Sequence, residues 1–318
     1  MSRRLQINEV APRDGLQMER QNVPTESKIA FIDGLSACGF ARIEVSSYTS
    51  PKAIPTLADA EAVMAGITRA PGVRYTALVP NLRGMERAVA GRPDEINLVM
   101  SASETHNRAN LRMTRAQSLA TLKDVMRAAE GVHLPCNVSL STAFGCPFDG
   151  EVDAGEVIAL ARELADAGAA GITVCDTTGM AYPSQVGSLC ERLQQTLPGL
   201  PLTIHLHNTR GMGLANALAA LDAGIERFDA AAGGLGGCPY APGASGNVST
   251  EELVHMFDAM GYDTGVDLDA LLGVVRSLSG VVGRPVASQL AQAGPRLRRF
   301  PPPAWLAEQF QQQATTNQ

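Results

Sequence analysis

The sequence predicts an α/β protein of the (β/α)8 TIM-barrel class, with a short additional helical region at its C-terminal end. Three observations carry that reading. Short apolar segments alternate with longer amphipathic stretches along the chain. Several amphipathic stretches close on a small residue followed by glycine, as in Ala37-Cys38-Gly39, Ala167-Gly168 and Ala223-Gly224, where glycine supplies the left-handed helix cap. Roughly eight such units over about 260 residues match the size and rhythm of a barrel. An open doubly wound sheet is the alternative, but no G-x-G-x-x-G fingerprint follows the first strand.

Taken in order, the strand segments are Leu5–Val10, Ala41–Ser46, Val73–Val79, Glu95–Met100, Pro135–Ser141, Gly171–Cys175, Leu202–His207 and Arg227–Ala232. Helical patterns between them include Glu26–Cys38, Thr114–Glu130, Ala154–Ala167, Tyr182–Leu197 and Gly213–Ala223, and a further helix is expected over Leu268–Leu278. The catalytic barrel is expected to span 1–285. Residues 286–318, proline-rich at 301–303 and Gln/Thr-rich at the end, read as a tail of partial order. No second domain is expected.

Composition narrows the function. With 45% hydrophobic and 18% charged residues the chain reads as globular rather than disordered. Aromatic residues make up only 4%, so the core must be built from Ala, Val, Leu and Ile. A net charge of −6 without a basic stripe argues against a nucleic-acid surface. No apolar run is long enough for a membrane span, and Met1-Ser2-Arg3-Arg4 leads into a strand without a signal-peptide pattern. Cysteines 38, 136, 146, 175, 190 and 238 show no C-x-x-C spacing, the pattern of a reduced compartment. A cytoplasmic protein is the expectation.

In a barrel the chemistry gathers where strands end. His205 and His207 stand two residues apart on an apolar segment; in a strand, i and i+2 share a face, so both imidazoles can grip one divalent ion. Other strand ends carry Glu9, Arg13 and Asp14, then Glu44 with Ser46 and Ser47, then Asp176-Thr177-Thr178-Gly179, and last the glycine-rich Gly233–Asn247. Carboxylate, imidazole and amide oxygen form a mixed N/O donor set that suits Mg or Mn with open positions better than a closed structural zinc. Each feature also has an ordinary reading. Arg-Asp-Gly can be a turn, Asp176 a helix N-cap, Cys238 a small hydrophobe and the glycine run a connector. Their gathering at five strand ends points to an active site. His106 and His133 read as loop residues and His255 as helical, none with a role.

The stretch Gly234-Leu235-Gly236-Gly237-Cys238-Pro239-Tyr240-Ala241-Pro242-Gly243-Ala244-Ser245-Gly246-Asn247 resembles the signature loop of the hydroxymethylglutaryl-CoA lyase family. Ala11-Pro12-Arg13-Asp14-Gly15-Leu16-Gln17 is similar to that family's opening motif, and Ser50-Pro51-Lys52, Pro80–Gly84, Gly145-Cys146-Pro147-Phe148 and Thr264-Gly265-Val266 also match. The resemblance runs from about Ile7 to about Leu278. It implies cleavage of 3-hydroxy-3-methylglutaryl-CoA to acetoacetate and acetyl-CoA with a divalent metal, Mg or Mn, and a homodimer. It implies Asp14, His205, His207 and Asn247 as metal ligands. Arg13, Asp14, Glu44, Asp176, His205, Cys238 and Glu251 would be the catalytic set, with Arg13 stabilising an enolate and Cys238 returning its proton. The proton acceptor stays open among Asp14, Asp176 and His205.

Of the departures from the family pattern, those at Asn208 and Arg210 bear on substrate choice. Asn208 and Arg210 replace an Asp and an aromatic, and Thr178 stands where Ile is common. Another 3-hydroxyacyl-CoA is therefore the alternative substrate. A condensing enzyme of the isopropylmalate-synthase kind would need a larger C-terminal domain than the roughly 40 residues left after the barrel. Lys52 and the Asn81–Arg83 turn are weak candidates for CoA contacts.

Overall fold

The computed structural model describes residues 3–237 and 246–306. Eight parallel strands, β1 Gln6–Glu9, β2 Arg42–Ser47, β3 Arg74–Leu78, β4 Glu95–Ser101, β5 Cys136–Ser141, β6 Gly171–Asp176, β7 Leu202–Leu206 and β8 Arg227–Ala230, close into a barrel in sequence order. Closure comes from β8 pairing with β1, Gln6 opposite Arg227 through Glu9 opposite Ala230. The helices are α1 Thr25–Ser36, α2 Ala60–Gly66, α3 Leu82–Gly91, α4 Glu104–Leu111, α5 Arg115–Glu130, α6 Ala154–Asp166, α7 Pro183–Thr196, α8 Gly213–Asp222, α9 Thr250–Ala259, α10 Leu268–Val282 and α11 Gln289–Ala293. No helix among the described residues is long and apolar enough to cross a membrane.

The strands alternate in chemistry. Ile7, Ile43, Val45, Ile96, Leu98, Val138, Leu140, Ile172, Val174, Ile204 and Phe228 are fully or almost fully buried in the apolar core. The residues between them face inward, and many are polar: Asn8, Glu44, Thr76, Asn97, Asn137, Thr173 and Asp229 line an internal cavity. Barrel interiors are usually filled by branched aliphatic side chains. Here the burial of polar groups is offset by pairing. Asn97 Oδ1 accepts from Asn137 Nδ2 at 2.9 Å and Ser139 Oγ at 3.0 Å, and its Nδ2 donates to Glu44 Oε1 at 3.0 Å. Asn8 Nδ2 donates to Asp229 Oδ1 at 2.8 Å.

Beyond β1 the chain makes a π-helical turn over Ala11–Gly15, in which the amides of Arg13, Asp14 and Gly15 all point at the Val10 carbonyl. Such turns mark functional sites. This one is fixed from below by Glu9, which is fully buried. Glu9 Oε1 accepts from Ala11 N (2.8 Å) and Ala232 N (3.0 Å), and Oε2 accepts from the Thr250 hydroxyl (2.8 Å). One carboxyl group thus joins the first βα turn, the exit of β8 and the start of α9. Gly15 is required by a close approach: a Cβ there would sit 2.8 Å from Leu235 Cβ.

One sequence expectation and one alternative reading change. His106 is not in a loop; it is the third residue of α4, 2% exposed, with Nδ1 2.7 Å from Ser101 Oγ. The segment Glu104-Thr105-His106-Asn107-Arg108-Ala109-Asn110-Leu111 has too few apolar residues to show a helical stripe. Asp176 is not a helix N-cap; Tyr182 occupies that position for α7. Past residue 285, α11 begins with Gln289 N donating to Glu252 Oε1 at 2.7 Å.

Burial raises the Glu9 carboxyl to about 8 against the opposing pull of its three donors. A carboxyl whose folded pKa lies above its unfolded value, near 4.5, favours the folded state below that value. The advantage fades as pH rises through about 8. Unfolding of wild type and Glu9→Gln, followed from pH 5 to 9, should therefore show wild type losing stability relative to the variant, by up to a few kcal/mol. A pH-independent difference would contradict this.

Candidate active site

The C-terminal ends of the strands bring the predicted residues together. Arg13, on the π-helical turn, lies between two carboxylates: its Nε donates to Glu44 Oε2 and its Nη1 to Asp14 Oδ1, both at 2.6 Å. All three side chains are at most 15% exposed. Burial alone would push the guanidinium toward neutrality, but Glu44 and Asp14 outweigh it and hold the proton on. Burial likewise acts to raise Asp14, and the charge of Arg13, then of His205 and His207, keeps its carboxyl well below the usual range. Asp14 is thus an anion at every working pH, as a metal ligand must be.

His205 and His207 leave β7 on the same face, their ring centroids 5.3 Å apart. His205 Nδ1 lies 3.3 Å from Asp229 Oδ2, and its Nε2 lies 4.0 Å from Asp14 Oδ2. A proton on Nδ1, shared with Asp229, leaves the Nε2 lone pair directed toward Asp14. Burial opposes protonation of His205, and the Asp229 hydrogen bond reverses the effect, so its pKa is raised. Burial, followed by the His205 charge, drops His207 to about 4 and keeps it neutral.

Asn247 arrives from the other end of the sequence. Its Nδ2 donates to Asp14 Oδ2 at 2.7 Å and to the Leu235 carbonyl at 3.0 Å. Gly236, with φ of 110°, lies against this pair, and a Cβ there would meet Asn247 Nδ2 at 2.5 Å. A glycine is required at that point by both conformation and space.

These residues fit a divalent cation. One ligand atom from each of Asp14, His205 and His207 lies within 4.8 Å of the others. Two more polar atoms, His207 Nδ1 and Asn247 Oδ1, are buried without a hydrogen-bond partner among the described residues. Unpaired buried polar atoms are costly, and a cation held by oxygen and nitrogen would satisfy such atoms.

The remaining predicted residues divide. Asp176, at the end of β6, accepts from Met180 N (2.8 Å) and Ala181 N (3.2 Å) through Oδ1, while Oδ2 is buried and unpartnered. Burial raises its carboxyl to about 6, against the pull of those two amides and then the field of His205. Glu251 stands behind the glycine-rich loop, fully buried, with Oε2 accepting from Gly233 N at 3.1 Å. It is thereby placed to hold the loop's base. Cys238 lies outside the described residues. Asn208 Oδ1 accepts from Gly213 N at 3.0 Å, and Arg210 Nη1 donates to the carbonyls of Thr178 (3.1 Å) and Gly179 (2.7 Å). Both departures from the family pattern thus have local loop-holding partners.

Asp229 is the residue that sequence reading missed. The signal was available: β8 alternates Arg227-Phe228-Asp229-Ala230, and an acid at an inward position beside β7 is opposite His205 in the register. Asn97, which supports Glu44, carried no such signal.

Comparisons with known proteins identify the family. The HMGL-like family model matches residues 4–277. Hydroxymethylglutaryl-CoA lyase YngG of Bacillus subtilis is 44% identical over 91% of this chain and 97% of its own length. The (R)-citramalyl-CoA lyase of Chloroflexus aurantiacus is 42% identical over 91% of this chain and 94% of its own. A solved HMG-CoA lyase from Acinetobacter baumannii, in complex with coenzyme A and 3-methylmalate, superposes with a TM-score of 0.91 at 49% identity, covering 94% of this chain and 98% of that one. With a family-model match over most of its length and relatives this similar from end to end, the chain belongs to the HMGL-like family.

Proposed function

We propose that the protein is a divalent-metal-dependent carbon–carbon lyase that cleaves 3-hydroxy-3-methylglutaryl-CoA to acetoacetate and acetyl-CoA. The observation that carries this reading is the convergence of Asp14, His205, His207 and Asn247 beside Arg13, with unpartnered buried atoms on His207 and Asn247. Those four residues would hold the metal, Mg or Mn. When bound, the metal supplies Lewis acidity that makes the substrate's tertiary hydroxyl proton easier to remove.

The protein's own residues supply the rest. Asp176 takes the hydroxyl proton through its unpartnered Oδ2. The C2–C3 bond then breaks, the C3–O bond becomes the ketone of acetoacetate, and the electron pair moves into the enolate of acetyl-CoA. Arg13, rigidly held by Glu44 and Asp14, stabilises the enolate oxygen because its guanidinium needs no reorganisation as charge develops. A proton returned to C2 completes acetyl-CoA, and the family resemblance assigns that donor to Cys238. Glu251 and Glu9 hold the base of the loop that carries it.

A second reading, an acyl-CoA lyase of the same chemistry acting on a different 3-hydroxyacyl-CoA, is favoured by the similarity to a citramalyl-CoA lyase. Acetyl-CoA release, measured with chelator-stripped enzyme and Mn, should be faster from 3-hydroxy-3-methylglutaryl-CoA than from citramalyl-CoA. The reverse order would favour the second reading.

Three further outcomes test the roles. Arg13→Gln should lower turnover about 10²- to 10³-fold while still binding one metal, because Asp14 keeps its charge; near-normal turnover would sink the enolate role. Asp229→Asn should weaken metal binding about 10- to 100-fold, read by chelator competition, and unchanged affinity would remove its role in orienting His205. Since Asp176 must be ionised to accept a proton, kcat/KM should fall about tenfold per pH unit below about 6. Asp176→Asn should lose that acid limb along with most activity; a limb that persists unchanged would assign the base elsewhere.

A further inference from the structure

After α10 the chain stays on the barrel. Gly283 ends that helix in the left-handed conformation, with φ of 71°, and the residues that follow cross the seam where β8 closes on β1. Arg284 reaches the β1 side of the seam. Its Nε donates to Glu19 Oε2 at 3.0 Å and its Nη2 to Glu19 Oε1 at 2.5 Å. The Glu19 side chain is 4% exposed, and a carboxylate so buried needs its partner. Two residues later Val286 lies against Gly233 on the β8 side, where a Cβ on the glycine would sit 3.1 Å from Val286 Cβ. The segment is then fastened to α9 at two points. Gln289 N donates to Glu252 Oε1 at 2.7 Å, and Arg296 N to His255 Nε2 at 3.2 Å.

Both ends of this crossing touch the backbone that carries the proposed cation ligands. Glu19 follows on the π-helical turn that bears Asp14: its amide donates to the Leu16 carbonyl, and that of Met18 to the Gly15 carbonyl, each at 3.3 Å. Gly233 begins the turn that leads to Leu235, whose carbonyl accepts from Asn247 Nδ2 at 3.0 Å. Leu235 in turn packs on Gly15. That carbonyl decides which way the Asn247 amide faces. With Nδ2 donating to Leu235 and to Asp14, Oδ1 is the atom left for a cation. The C-terminal segment thus grips the chain on both sides of the Asp14–Asn247 hydrogen bond.

We propose that Arg284 and Val286 are positioning residues for the cation site, which fix the spacing of Asp14 and Asn247 across the β8–β1 seam. Arg284 acts through Glu19, and Val286 through Gly233. The inference rests on the reading of Asp14 and Asn247 as ligands. A spacing set in advance lowers the reorganisation that cation binding must otherwise supply.

The test uses the full chain, stripped by chelator, with Mn as the probe. Mn affinity is read by chelator competition well below the unfolding temperature, and thermal unfolding of the metal-free protein is followed separately. Arg284→Gln should bind Mn about 10-fold more weakly, still at one site per chain. Val286→Ala, which changes no charge, should weaken binding in the same direction by a smaller factor. Arg284→Lys keeps a cation beside Glu19 and should recover most of the loss. If Arg284→Gln fails to fold because Glu19 is left unpaired, Glu19→Gln/Arg284→Gln removes the buried charge and should show the same weakening. A lowered Tm with unchanged Mn affinity would make the segment a structural tether only and overturn the proposal. Absence of Mn binding in wild type would overturn the cation site itself, and the positioning role with it.

Discussion

The hydrogen bond from Asn247 to Asp14 joins residues 233 positions apart, and the active site depends on it. It exists because β8 closes on β1, which sets the π-helical turn against the loop leaving β8. Barrel closure is thus a chemical requirement as well as an architectural one. Without it, Asp14 and Asn247 would sit on opposite edges of an open sheet, and the histidines of β7 would face a single carboxylate. Glu9 reinforces the same seam from below, with donors drawn from both sides of it. The seam is the part of the barrel where backbone geometry and cation chemistry are the same problem.

A polar barrel interior follows from holding charged groups rigidly in a buried place. Arg13 is fixed because Glu44 is fixed, and Glu44 is fixed because Asn97 donates to it while accepting from Asn137 and Ser139. His205 depends on Asp229, and Asp229 on Asn8. Each chain of contacts runs from a reacting group to a strand backbone in two or three steps. Such networks specify one geometry only when their members are satisfied. Among the unpartnered buried atoms, three sit where ligands belong: His207 Nδ1, Asn247 Oδ1 and Asp176 Oδ2. Stability comes from the outward strand faces packed on the helices, which leaves the inward faces free for polar chemistry.

Much of this was legible in the sequence, for identifiable reasons. The eight strands could be read because each carries buried branched residues between turn signals, and the His205–His207 pair could be read because strand periodicity has no ambiguity over two residues. Short polar elements were hidden: α4 has no apolar stripe, so His106 was misread as a loop residue. Asp229 was hidden for another reason. Its role depends on which residue of β7 lies beside it, and register is a property of pairing rather than of either strand. Arg210 and Asn208 were conspicuous as departures, yet their partners are backbone groups of neighbouring loops, which only the folded chain brings near.

The central claim is that four side chains from three strand ends make one cation site. Titrating chelator-stripped protein with Mn, and counting coordinated nitrogens by pulsed electron paramagnetic resonance, tests it most directly. The account predicts one Mn per chain with two histidine nitrogens, reduced to one nitrogen in His205→Ala and markedly weakened in Asp14→Asn. Absence of tight Mn binding, or a nitrogen signature unchanged in His205→Ala, would contradict it.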